Sequence, residues 1–200
     1  MMDSADIRAQ LSRPWKHGEA VDLRGLRVTE RLDLSGLALR GVDFTDAVFE
    51  AGVTAKDARF DGLAWFKGAV FGATSDFSGA MFVNDARFDA AVFDAAADFS
   101  GAEFRGIAGF SNARFPKGAD FRALTCYGNA DFADVRAQGD VSFAGSEFLG
   151  GFWANRTALP AGSDFTDTEV HGRLWLRGAT RDHIKLSAQD FGLSFGYTWT

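Results

Sequence analysis

Residues 58–123 read ARFDGL AWFKG AVFGAT SDFSG AMFVND ARFDA AVFDAA ADFSG AEFRGI AGFSN ARFPKG ADFRA. Each spaced unit holds one central phenylalanine, at 60, 66, 71, 77, 82, 88, 93, 99, 104, 110, 115 and 121, so the intervals alternate six and five. The frame runs outward to Val21 and Gly178, as 16 five-residue and 13 six-residue units, with one hexad short of a residue at 37–41. Of the 21 phenylalanines, 18 stand at unit centres, which rules out a chance register. An α-helix advances about 100° per residue, so a step of five would throw successive rings to different sides. A straight strand fails too, because an odd step changes face. The chain must therefore turn a corner between consecutive phenylalanines. Gly, Asn and Asp recur just after the centres, where corners need them, and Pro116 and Pro160 take the same corner position.

Four sides of five, six, five and six residues make a coil of about 22. The units themselves favour that period: AVFEAG, AVFGAT and AVFDAA begin at 47, 69 and 91, and SDFSG, ADFSG, ADFRA and SDFTD at 75, 97, 119 and 163. The reading is an all-β, four-sided parallel β-helix of about seven coils over residues 21–178. Segment 1–20 is an N-terminal cap, and 179–200 is a C-terminal cap or dimerisation segment. The core carries its own check. Where the centre is small (Ala55, Cys126, Ala137, Ala154), the residue two before it is enlarged (Val53, Leu124, Val135, Phe152). Volume is conserved, so both positions face one interior.

The units ADFSG (97–101) and ADFRA (119–123) are similar to those of the pentapeptide-repeat family, whose unit is written A(D/N)LXX with Leu or Phe at the centre. The resemblance covers residues 21–178 and implies a right-handed quadrilateral β-helix. The regular hexads depart from the family pattern and predict that two corners per coil are wider. It also implies a non-enzymatic protein. In the best-understood subset of that family the rod imitates duplex DNA, binds DNA gyrase or a related topoisomerase, and forms a homodimer through its C-termini.

Composition narrows the classes further. The chain is 46% hydrophobic and 24% charged, with a net charge of −6. That field opposes direct nucleic-acid binding. One Cys excludes a disulfide framework, and histidines at 17, 171 and 183 are too scattered to announce a metal cluster. No apolar run has membrane-span length and no signal-peptide pattern opens the chain, so a cytoplasmic protein without a membrane partner is expected. No phosphate loop or nucleophile elbow occurs, and no cofactor is expected. Cys126, at a phenylalanine position, reads as an inert core thiol.

The outward positions supply the candidate binding residues. Asp76, Asp98 and Asp120 are spaced by 22 and should stack; with Asp43, Asp89, Asp94 and Glu103 they form the candidate acidic, phosphate-like surface. The competing reading is that an Asp just before a centre bonds local backbone. Val48, Val70 and Val92 stack on another side, where strand propensity accounts for them. Trp65, Trp153 and Trp175 share one outward column, a candidate apolar contact for a protein partner. An interaction scaffold without DNA mimicry is thus the alternative function.

The ends must close the core. Residues 3–12 suit a short helix capped by Asp3 or Ser4, with Ile7 and Leu11 facing the first coil. At the other end Phe191, Leu193, Phe195, Tyr197 and Trp199 alternate with small or polar residues, a strand with one apolar face. It serves either as a cap over the last coil or as an edge that pairs with its copy.

Overall fold

The computed structural model describes residues 3–200. The chain winds about eight times around a four-sided parallel β-solenoid. Each side is a sheet of two- or three-residue strands. Sheet A runs from Ala20–Asp22 through Ala64–Trp65 and Gly151–Trp153 to Thr198–Trp199. Sheet B runs from Arg27–Val28 to Thr180–Arg181, sheet C from Leu32–Asp33 to Val141–Ser142, and sheet D from Ala38–Leu39 to Leu193–Ser194. A strand this short holds no hydrophobic alternation of its own. What fixes it is the ladder to the coil above, as in Phe66 N–H donating to Arg87 O at 2.7 Å.

The unit centres point inward and are buried from Phe44 to Phe165, except for the half-buried Ala137. Along the axis the rings stack: Phe66 on Phe88 at 4.9 Å and 1°, Phe71 on Phe93 at 4.5 Å and 3°, Phe77 on Phe99 at 5.0 Å and 4°. Around the coil they meet edge to face, as Phe71 and Phe77 do at 6.0 Å and 87°. Both are favoured aromatic geometries. The enlarged residues sit where compensation demands. Phe152 is buried above Ala154 and stacks on Phe132 at 5.3 Å, so it fills the space a ring at 154 would occupy.

Sheets A and C are followed by five-residue spacings, B and D by six. The short corners close as four-residue turns, with Ala47 N–H donating to Phe44 O at 3.0 Å and Ala69 to Phe66 at 3.1 Å. Their third residue is left-handed: Asp46 at φ 58°, Gly68 at 64°, Asn112 at 60°. That is the type II requirement which draws Gly, Asn and Asp to these sites. The six-residue steps mostly avoid positive φ, Gly52, Gly118 and Gly151 excepted. The corner from sheet D to sheet A carries a column of glycines at 106, 128, 150, 172 and 196. A Cβ on Gly128 would run into Gly106 O, on Gly150 into Gly128 O, and on Gly172 into Gly150 O. Coils approach so closely here that only glycine fits.

Register shows where the repeat breaks. Ala20 pairs with Gly41 and Ala38 with Arg59, a coil of 21, because the hexad at 37–41 is short. From Val42–Ala64 to Ala158–Thr180 the offset is 22. The last coil takes 24, since Glu169 pairs with Leu193 and Trp175 with Trp199. The excess lies in 180–190. Asp182 and His183, both at positive φ, turn the chain back so that Ile184–Lys185 lies antiparallel on Thr180–Arg181, and a 3-10 turn at Ala188–Asp190 stands where sheet C would continue.

The one α-helix among the described residues, α1 (Ser4–Leu11), begins at Asp3, whose side chain accepts from Asp6 N–H, and buries Ile7 and Leu11. The C-terminal expectation needs correction: residues 191–199 are not one strand with one apolar face. Leu193–Ser194 joins sheet D, the chain bends past Gly196, and Thr198–Trp199 joins sheet A. Phe191 turns inward and plugs the core against Phe165 at 4.8 Å. Leu193, Phe195, Tyr197 and Trp199 face outward and are exposed.

Candidate functional site

Asp76, Asp98 and Asp120 stack in register on the outside of sheet C. Asp33 below and Asp164 above occupy equivalent positions. Each is tied to its own corner: Oδ1 accepts from the N–H two residues ahead, at 2.9 Å from Ser78 to Asp76, 2.8 Å from Ser100 to Asp98 and 2.9 Å from Arg122 to Asp120. Asp43 and Asp131 on sheet A do the same. The local-backbone role is therefore real for every one of them, and it consumes one carboxylate oxygen per residue.

The other acidic candidates are dispersed. Asp43 and Asp89 lie on or beside sheet A, Asp94 at the corner from B to C, and Glu103 on sheet D. Four of the seven are paired with arginine, Asp43 with Arg24 at 3.8 Å, Asp89 with Arg87 at 2.7 Å, Glu103 with Arg105 at 2.7 Å and Asp120 with Arg122 at 2.5 Å. Burial raises the Asp120 carboxyl, but hydrogen bonds from Arg122 outweigh it and hold it below its ordinary range. The same opposition, with Arg87 and Ser111 as donors, depresses Asp89. The seven do not converge on one face; the coherent acidic feature is the sheet C column.

The tryptophan column on sheet A divides. Trp65 pairs with Arg87 in the next coil, and Gly109 and Asp131 separate it from the rest. Lys67 covers its ring at 5.0 Å. Trp153 and Trp175 are neighbours, 6.5 Å between rings, and Trp199 continues them at 6.2 Å. Three tryptophans thus occupy consecutive coils. Trp199 was not legible as a member, because the two residues inserted in the last coil move it off the 22-residue spacing, which points to Tyr197 instead. Arg173, Arg177 and Thr200 join Trp175 and Trp199 in lining a cleft beside this ladder. Exposure rises along it, from the half-buried Trp153 to Trp199 at 58%.

Val48, Val70 and Val92 stack in register on sheet B, between Arg27 and Arg114. Cys126 is fully buried, and burial pushes its thiol up to about 12, which removes the thiolate a nucleophile needs. The scattered histidines concealed one cluster: Glu147 and Glu169, opposite each other on sheet D, flank His171. Among the described residues no helix is long and apolar enough to cross a membrane.

A family model described as pentapeptide repeats (nine copies) matches residues 34–81, 44–92 and 88–136, together more than half of the chain. No curated protein and no solved structure matches the sequence.

Proposed function

Because this chain belongs to the pentapeptide-repeat family, whose solenoids generally serve as non-enzymatic protein-interaction scaffolds, we propose that it holds a protein partner on the ladder of Trp153, Trp175 and Trp199 and the adjoining last coil. The observation that carries this reading is three outward tryptophans on consecutive coils, ending in a cleft edged by Arg173 and Arg177. Trp and Arg are the side chains most enriched where truncation costs most binding energy. Leu193, Phe195 and Tyr197 extend the same apolar surface around the last coil. A second copy of the chain is the competing occupant there, and the mass in solution distinguishes it.

The DNA-mimic reading, with gyrase or a related topoisomerase as target, keeps one supporting observation: Asp76, Asp98 and Asp120 in register, with a second oxygen outside the corner bond on Asp76 and Asp98, whereas Arg122 holds that of Asp120. Charge density weighs against it. One carboxylate per coil is one charge per about 4.8 Å, where duplex DNA presents one per about 1.7 Å.

Two variants separate the readings. Affinity capture from the producing cells should lose its partner with Trp175→Ala, by about tenfold or more in affinity, and should survive raised salt. A triple Asp76→Asn, Asp98→Asn, Asp120→Asn variant should capture it normally. The reverse pattern, with salt-sensitive inhibition of gyrase supercoiling that the triple variant abolishes, would replace the scaffold by the mimic.

A further inference from the structure

We propose that Glu147, Glu169 and His171 form a site for a divalent transition-metal ion on the outer face of sheet D, close to the end of the solenoid. The two glutamates are directly paired on neighbouring strands. His171 follows the buried centre Val170 at the start of the glycine corner. Its Nε2 lies 3.1 Å from Glu147 Oε1 and 3.3 Å from Glu169 Oε2, and all three atoms lie within 4.8 Å of one another.

Those separations also suit three ligands of one ion. Nitrogen and oxygen ligands stand about 2.0–2.2 Å from a zinc-like ion. Adjacent ligands are then about 3.0 Å apart at a right angle and about 3.4 Å apart at the tetrahedral angle. Both nitrogen-to-oxygen distances fall in that interval. The glutamate side chains are nearly half exposed, so rotation brings the third edge into range.

A second, independent observation concerns the imidazole. Nε2 is shielded from solvent and makes no hydrogen bond, although two carboxylates surround it. Neither N–H nor lone pair is aimed well at either oxygen. A shielded nitrogen left so is unfavourable. An ion between the three groups accepts the lone pair and also neutralises two like charges stacked on adjacent strands. Among the described residues no arginine or lysine does this for Glu147 or Glu169, whereas Glu103 of the same column has Arg105.

The frame is rigid. The backbone N–H groups of Glu147, Glu169 and His171 donate to Leu124 O, Ser146 O and Phe148 O at 2.8, 2.8 and 2.9 Å. Phe195, from the last coil, lies 4.9 Å from the imidazole at 31° and holds its plane. One imidazole with two carboxylates and no sulfur selects Zn²⁺, Mn²⁺, Co²⁺ or Ni²⁺ over Ca²⁺ and Mg²⁺. The remaining coordination positions face solvent. Since the ligands come from two consecutive coils and the cover from the next, a bound ion fastens the last coils together.

The test uses untagged full-length protein freed of metal with chelator, and Zn²⁺ alone as probe. Calorimetry should show one tight equivalent, and the melting temperature should rise with Zn²⁺ but not with an equal concentration of Mg²⁺. His171→Ala and Glu169→Gln should each weaken binding by about tenfold or more and abolish the rise, while melting in chelator stays that of the parent. Co²⁺ in place of Zn²⁺ should give visible absorption bands that His171→Ala removes. No saturable Zn²⁺ binding, or binding that His171→Ala leaves intact, overturns the proposal. If His171→Ala fails to fold, unchanged Zn²⁺ binding by Glu169→Gln overturns it equally.

Discussion

Gly150→Ala will lower the thermal midpoint of unfolding by roughly 6–12 °C, the shift that about 3 kcal/mol produces in a chain of this size. A single methyl has this effect because of what it meets. The added Cβ would overlap Gly128 O, with Gly128 C and Asn129 N close behind. All three are backbone atoms already fixed by the ladder, so none can swing away as a side chain would. Relief requires parting two coils at the corner between sheets D and A, where Gly106, Gly128, Gly150, Gly172 and Gly196 stack. Gly101→Ala provides the contrast. A Cβ there meets nothing, and only its left-handed φ of 65° is penalised, about 1–2 kcal/mol. Equal midpoints for the two variants would show that coil spacing at the glycine corner is not limiting.

The second large effect is a loss and its recovery. Phe152→Ala should cost about 3–5 kcal/mol, the usual range for removing a buried aromatic ring. Phe152 touches Phe132, Phe143, Phe148, Phe165 and Phe191, so its loss opens a void where the last core rings converge. Adding Ala154→Phe should restore stability to within about 1.5 kcal/mol of the parent, the tolerance of volume-conserving core exchanges. The double variant has a small residue two before a phenylalanine centre, the arrangement of most units in the chain. Ala154→Phe alone overfills the same space and should destabilise by about 1–3 kcal/mol. A double-mutant cycle from denaturant unfolding measures the coupling. Additive losses would mean that the two side chains do not share one space.

The fold was legible because its cause is periodic. A phenylalanine every five or six residues excludes helix and straight strand, and the paired compensation at 152 and 154 identifies both inward positions. The short unit at 37–41 even announced the coil of 21 residues. The candidate surfaces were less legible, for separate physical reasons. An outward aspartate before a centre satisfies its own corner and adds to surface charge at once, so Asp76, Asp98 and Asp120 look alike under either reading. Spacing locates stacked residues only while the period holds. The longer last coil therefore hid Trp199 from the ladder and presented 191–199 as a single strand. Glu147, Glu169 and His171 are 22 and 2 apart in sequence, an interval that signals proximity only once the coil length is known. The glycine column was visible at a spacing of 22, but nothing in the sequence tells a corner that needs glycine from one that merely tolerates it.

The hairpin at 180–185 has a consequence for assembly. Coils held only by parallel stacking have no inherent last member, since the top of one solenoid has the shape that the bottom of another would need. Such ends template head-to-tail filaments. Here Ile184–Lys185 occupies the top edge of sheet B running the wrong way, the 3-10 turn stands in place of a further sheet C strand, and α1 lies across the first coil. Strand addition at the top is thereby blocked on sheets B and C, and the edges left there are Leu193–Ser194 on sheet D and Thr198–Trp199 on sheet A.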